Sequence, residues 1–304
     1  MSKKSGKRSK TAQTILAERS NILSGSSSFY TREAYKALRT NVNFALADSE
    51  GCCTLLMTSA LQSEGKSITS LNLAISVAED GNRVLLIDAD LRRPKLGRLT
   101  EVSSNNGLSD ILIHPELLDG AIYPYRMNLD VMLAGRIPPN PSELLGSARM
   151  GKLIEALKAR YDYIILDTPP VNVVTDAAVA SRWVNGVLFV VRAGISERGA
   201  VAHAVEQLGY AKANLLGFIF NGVDAEATGY SKYRYKRCGY HRYGYGRYGY
   251  SNKKGYGYGG YGGYGGYGYG YGSGYGYGYG ESPKDSQEAY NAVADSAAEA
   301  RTGK

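Results

Sequence analysis

The feature that most limits what this chain can fold into is a turn. ALQSEGKS, residues 60–67, lies between an apolar strand-like run, CTLLMTSA, and a helix-like stretch from Lys66 to Glu79. Its spacing is that of a phosphate-binding P-loop with Ala60 in place of the first glycine. In such a turn, backbone N–H groups and a helix N-terminus surround phosphate oxygens, a lysine reaches the β and γ oxygens, and a hydroxyl meets Mg²⁺. Lys66 and Ser67 stand at those two positions. A bare GKS would be weak, but the strand before it and the helix after it make an ordinary turn the poorer account.

The rest of the chain up to about residue 224 agrees with that turn. RVLLID, LDVMLAG, YDYIILD, GVLFVVRA and NLLGFIFNG read as short buried strands, with helices expected over Thr31–Ala47, Ala148–Arg160, Thr175–Trp183 and Glu197–Leu208. All-apolar strands separated by helices predict an α/β fold, a doubly wound and mostly parallel sheet covered on both faces. Ligands of such sheets bind at the C-terminal strand edge. Polar motifs occur at that edge: Asp88 and Asp90 follow VLLI, and Asp167 follows YIIL. An aspartate there can reach a Mg²⁺ shell directly or through water. Each one alone could be a loop residue or helix cap; three motifs in this order point to one site. Asn221, ending NLLGFIFN, could read an adenine edge through its amide, although Asn-Gly by spacing alone favours a turn.

Charge and aromatic content are uneven. Residues 1–20 carry six Lys/Arg against Glu18, and residues 230–279 carry eight with no acid, so the remainder holds −5 of a net +8. A mildly acidic middle argues against nucleic acid as the core's main partner, while the basic ends suit anionic surfaces. Residues 230–280 hold eighteen of 26 tyrosines in a Tyr/Gly alternation. Glycine offers nothing to pack and is costly to order, so that segment is expected to be disordered. The expected division is a flexible basic leader over 1–28, a catalytic domain over 29–228, and a tyrosine-rich tail over 229–304. Cys52, Cys53 and Cys238 form no disulfide framework and suit a reducing compartment. No apolar run is long enough to span a membrane, and the basic start lacks the apolar core of a signal peptide.

These motifs together resemble the bacterial tyrosine kinases, in particular the soluble partner in capsule and exopolysaccharide assembly. ALQSEGKS resembles their Walker A motif, VLLIDADLRRP their Walker A′, and YIILDTPP their Walker B; LAGRIPPNPSELL, residues 133–145, is a further family-like segment. The resemblance implies a P-loop NTPase fold that uses ATP and Mg²⁺. It implies a nucleotide site built from Ala60, Ser63, Glu64, Gly65, Lys66, Ser67, Ile68 and Asn221. Metal ligation falls to Ser67, Asp90 and Asp167, and catalysis to Lys66, Asp90 and Asp88, with Asp88 as base toward the tyrosine hydroxyl. Ser63 stands where such loops commonly carry glycine. Glu33, Lys36 and Arg39 resemble an E-x-x-R-x-x-R oligomerisation motif with lysine in place of the first arginine.

By the same resemblance the tail tyrosines Tyr256, Tyr258, Tyr261, Tyr264, Tyr267, Tyr269, Tyr271, Tyr275, Tyr277 and Tyr279 are phosphoacceptors. The implied partners are a separate membrane adaptor that activates the kinase, neighbouring copies in a ring-like homo-oligomer, and protein tyrosine substrates. The implied location is cytoplasmic, at the inner face of the plasma membrane. Two other readings suit part of the chain. A partitioning or positioning ATPase explains the core but leaves the tyrosines unused, and Leu61 stands where that branch carries an extra lysine. A low-complexity binding protein explains the Arg/Tyr segment near 230–250 but not the cation-poor residues beyond it.

Overall fold

The computed structural model describes residues 17–47, 49 and 51–223. The expected tail and the ten tyrosines expected as phosphoacceptors lie outside the described residues.

Helix α1, Phe29–Ala45, begins at Ser28, whose hydroxyl caps the Thr31 N–H at 3.1 Å. Strand β1, Cys53–Ser59, runs through the P-loop into α2, Lys66–Ala78. Strand β2, Val84–Asp88, is followed by two short helices, α3, Leu96–Thr100, and α4, Leu108–Ile111. Strands β3, Ile122–Arg126, and β4, Leu129–Met132, form a hairpin. Then come α5, Pro141–Gly146; α6, Ala148–Lys158; β5, Tyr163–Asp167; α7, Asp176–Ala180; β6, Gly186–Arg192; α8, Arg198–Tyr210; and β7, Leu215–Asn221.

The seven strands lie in the order β3-β4-β2-β5-β1-β6-β7. All neighbours are parallel except the antiparallel pair β3/β4. The period of two explains how one sheet serves two cores. Leu56, Leu85, Ile87, Ile164 and Leu166 face one cluster, while Leu55, Met57, Leu86 and Ile165 face the other. The first core is closed by α5, α6, α7 and α8 through residues such as Leu145, Leu157, Ala177 and Leu208, and the second by α1 and α2 through Val42, Leu71 and Ile75. Each fully buried Val, Leu, Ile or Met among them contributes about 1.5–3 kcal/mol, enough in sum to hold polar loops at the C-terminal strand edge.

The structure departs from the sequence reading in three places. β7 is not a buried strand: it is a sheet edge, with Phe218 and Phe220 55% and 64% exposed. NLLGFIFNG is apolar on both sides, but in the described structure only part of it is covered. β3 was not legible, because Pro124 argues against a strand; an edge position makes the missing N–H harmless, and the ladder shifts register beside it. The third departure lies within the segment read as a flexible leader. Leu23 is 2% exposed, its N–H donates to Asn72 Oδ1 at 2.7 Å, and its carbonyl accepts from Arg126 at 2.9 Å. The buried Asn72 amide also donates to the Asn21 carbonyl. A polar, lysine-rich composition does not reveal one buried leucine and the amide beneath it.

Candidate active site

The register of the sheet sets the acids side by side. Asp88 and Asp167 are paired across β2 and β5, and Met57 of β1 pairs with Asp167. Paired residues of parallel strands point to the same face, so both carboxylates arrive beneath the P-loop that leaves β1. Lys66 completes the group. Its ammonium lies 3.6 Å from Asp90 Oδ2 and 3.8 Å from Asp167 Oδ1, and 3.5 Å from Ser67 Oγ. Asp167 Oδ1 also accepts from Ser70 at 3.2 Å, whereas Asp167 Oδ2 is buried with no hydrogen-bond partner.

The three aspartates differ in their surroundings. Asp88 is fully buried and accepts three backbone N–H groups, from Asp90 on Oδ1 at 3.2 Å and from Lys95 and Leu96 on Oδ2 at 3.0 and 2.9 Å. Burial first, and then the charge of Asp167, raise its pKa to about 7 despite those donors. Burial also raises Asp167, with the Lys66 charge opposing. Asp90 Oδ1 accepts the Arg93 N–H at 2.9 Å, which leaves Oδ2 toward Lys66.

The P-loop backbone meets the geometry that its sequence requires. Gly65 precedes α2 with φ 89°, and a Cβ there would collide with Asn221 Nδ2. Gly65→Ala is therefore expected to weaken nucleotide binding by at least about tenfold through strain and displacement of Asn221; titration calorimetry with MgATP checks it, and unchanged affinity would mean the turn tolerates both. Ser63, at φ 67°, adopts the left-handed conformation that glycine usually supplies. Ala60 is fully buried, and Ile68 borders the cleft. The Asn221 amide donates to the Glu64 carbonyl at 3.0 Å and accepts the Gly222 N–H at 2.8 Å, which commits it to holding the P-loop as well as ending β7.

The fit of the expected cofactors rests on these atoms. Among the described residues no three His, Cys, Asp or Glu side chains form a metal cluster by themselves. Mg²⁺ suits that arrangement, because it commonly takes one or two carboxylates together with substrate phosphates and water. The oxygens that such an ion would meet here are the orphaned Asp167 Oδ2, Asp90 Oδ2 and the Ser67 hydroxyl. A cleft of about 1410 Å³, bordered by Lys66, Ser67, Asp90, Arg92, Phe220 and Asn221, is large enough for a nucleotide.

Several contributors were not found from the sequence. Arg92 makes a two-pronged bridge to the buried Asp176 at 2.9 and 3.0 Å and reaches Ser142 at 3.2 Å, which ties the Asp88–Asp90 loop to α5 and α7. Through Ser142 this contact joins the segment 133–145 to the loop that carries Asp90. Ser70 had a legible signal, since it stands three residues after Ser67 on the same helix face; Asp176 had none. Of the oligomerisation residues, Glu33 and Lys36 pair with each other at 2.8 Å on the surface. Arg39 is engaged within the chain, donating to the Ser76 carbonyl at 2.6 Å and bridging Asp80 at 3.0 Å. Its charge thus serves the C-terminal end of α2 in this structure. Among the described residues, no helix is long and apolar enough to cross a membrane.

Residues 63–193 match the AAA domain family. Over 204 residues, 67% of this chain, the sequence is 39% identical to the tyrosine-protein kinase YwqD of Bacillus subtilis, covering 85% of that protein. It is 35% identical over 204 residues, again 67% of this chain, to the putative tyrosine-protein kinase CapB of Staphylococcus aureus, covering 89% of it. The solved kinase domain of the Escherichia coli tyrosine kinase ETK superposes with a TM-score of 0.61 at 40% identity, over 64% of this chain and 76% of that one.

Proposed function

Because this chain belongs to the bacterial tyrosine kinase family and is a protein-tyrosine kinase of the P-loop fold, we propose that it phosphorylates its own C-terminal tyrosine cluster in trans. In this reading the transfer regulates capsular or exopolysaccharide synthesis. The observation that carries the reading is the Lys66 ammonium set between Asp90 and Asp167 at neighbouring strand ends, with the P-loop above them. Phosphoryl transfer asks a protein for positioning and charge neutralisation more than for covalent chemistry, and this group supplies both.

The roles follow from the surroundings of each side chain. Lys66 neutralises the transferring phosphate, and the backbone from Ala60 to Ile68 cradles the nucleotide beside Asn221. Ser67, Asp90 and Asp167 would hold Mg²⁺, which when bound would supply neutralisation of phosphate charge. Asp88, poised near neutrality, accepts the proton of the tyrosine hydroxyl. Tyr256, Tyr258, Tyr261, Tyr264, Tyr267, Tyr269, Tyr271, Tyr275, Tyr277 and Tyr279 are the acceptors, presented by one copy to the site of the next in a ring-like assembly. Glu33 and Lys36 are free to exchange their mutual pair for contacts across copies, while Arg39 would have to leave Asp80 to do so. A separate membrane adaptor recruits the kinase to the inner face of the plasma membrane and activates it.

The test uses two chains with labelled ATP and Mg²⁺. A chain ending at residue 223 is expected to lose labelling of itself, yet to phosphorylate an intact Lys66→Met chain on tyrosine. Label persisting on the truncated chain at its former level would remove the tail as the main acceptor; no transfer to the intact acceptor would remove the trans reaction.

A further inference from the structure

The first half of the P-loop is held in shape from outside it. Residues 61–64 carry two features that need support: Ser63 in the left-handed conformation, and the Glu64 carboxylate enclosed at 1% exposure. Both are met by the turn that joins β6 to α8. Arg192 Nη1 donates to the Ser63 carbonyl at 2.9 Å. The Ser196 hydroxyl donates to Glu64 Oε1 and accepts the Arg192 N–H at 2.8 Å. Glu64 Oε2 accepts the Leu61 N–H at 2.7 Å, so the carboxylate closes the loop on itself while Ser196 holds it from the other side. The turn is itself fixed, with the Ser196 N–H on the Arg192 carbonyl at 2.9 Å and the Ala193 N–H on the Asn221 carbonyl at 2.9 Å.

We infer that Ser196 and Arg192 are positioning residues for the kinase reaction, which keep the P-loop in its phosphate-receiving shape by holding Glu64 and Ser63. The inference rests on the nucleotide-binding reading of the P-loop and adds to it two residues 132 and 129 positions away from their partners in the chain. Ser196 acts through the loop from outside the cleft, while Arg192 borders the cleft as well as holding the Ser63 carbonyl. Without the Ser196 hydroxyl, Glu64 Oε1 loses its donor in a buried place, the carboxylate turns toward water, and the Leu61 N–H is released. Residues 61–64 then gain freedom that nucleotide binding must remove again, so the loss falls on affinity and spares the turnover of bound nucleotide.

The test titrates the full chain and its Ser196→Ala and Ser196→Thr variants with MgATP by calorimetry, and follows tyrosine phosphorylation against ATP concentration. Ser196→Ala is expected to raise Kd and KM for ATP about tenfold with kcat within about twofold, as loss of one buried donor to a charged group implies. Threonine keeps the hydroxyl and is expected to restore Kd and KM to within about twofold of the unmodified chain. Thermal melts of the same samples separate folding from positioning. Unchanged Kd and KM in the alanine variant, a threonine variant as weak as alanine, or a loss confined to kcat or to melting temperature would each overturn the inference. If the unmodified chain itself fails to bind MgATP, the nucleotide site falls, which is a different result.

Discussion

Lys66→Met is expected to lower tyrosine phosphorylation by about 10²–10³-fold, because it removes a preorganised cation where phosphate charge develops. The fold should persist. The lysine stem packs at the start of α2 with 7% of the residue exposed, and methionine fills most of that space without a charge. What changes is the acidic group below. Asp90 and Asp167 lose the ammonium at 3.6 and 3.8 Å, and the Asp88 carboxyl loses an influence that lowers its pKa. With that lowering influence gone, the pKa values of Asp88 and Asp167 rise further. Phosphotyrosine detection on the purified variant, with circular dichroism as the check on folding, measures the effect; labelling within a few fold of the unmodified chain would defeat the site assignment.

Asp88→Asn should reduce kcat by about 10²–10⁴-fold while leaving MgATP affinity within a few fold, the pattern of a lost general base. Asparagine retains one oxygen, which can still accept from Lys95 and Leu96 as Asp88 Oδ2 does. The pH dependence gives a second, independent reading. With its folded pKa raised to about 7, Asp88 keeps a proton in the native chain that the unfolded chain has already released above about pH 4. The native state therefore binds more protons between those values, and this group makes stability fall as pH rises from about 4 to 7. Activity should climb as pH passes about 7, since the base works only when deprotonated. Opposite trends in melting temperature and rate, both flattened in the asparagine variant, are the expected result. Loss of MgATP binding in that variant would instead place Asp88 in the metal shell.

Much of the site was legible because its parts are short and local. A P-loop, an Asp-x-Asp after one strand and an aspartate after another are each readable from a few residues, and a parallel sheet delivers strand ends to one edge whatever the order of the strands. The three aspartates could not be ranked that way. Their burial, and the donors that reach Asp88 from residues 90, 95 and 96, depend on how the loop after β2 folds back.

The sequence alone determined the alternation of strand and helix, the place of the phosphate turn, and the positions of the acids at the ends of β2 and β5, since periodicity and turn chemistry act between near neighbours. Only the tertiary structure decided that β3 runs antiparallel at one edge, that β7 leaves Phe218 and Phe220 exposed at the other, that Leu23 is buried on Asn72, and that Arg39 turns inward to Ser76. It also decided that Arg92 meets Asp176 and that Ser196 meets Glu64, partners 84 and 132 residues apart. Such contacts leave no period to read: each residue looks like a surface polar group until packing removes the water that would otherwise satisfy it.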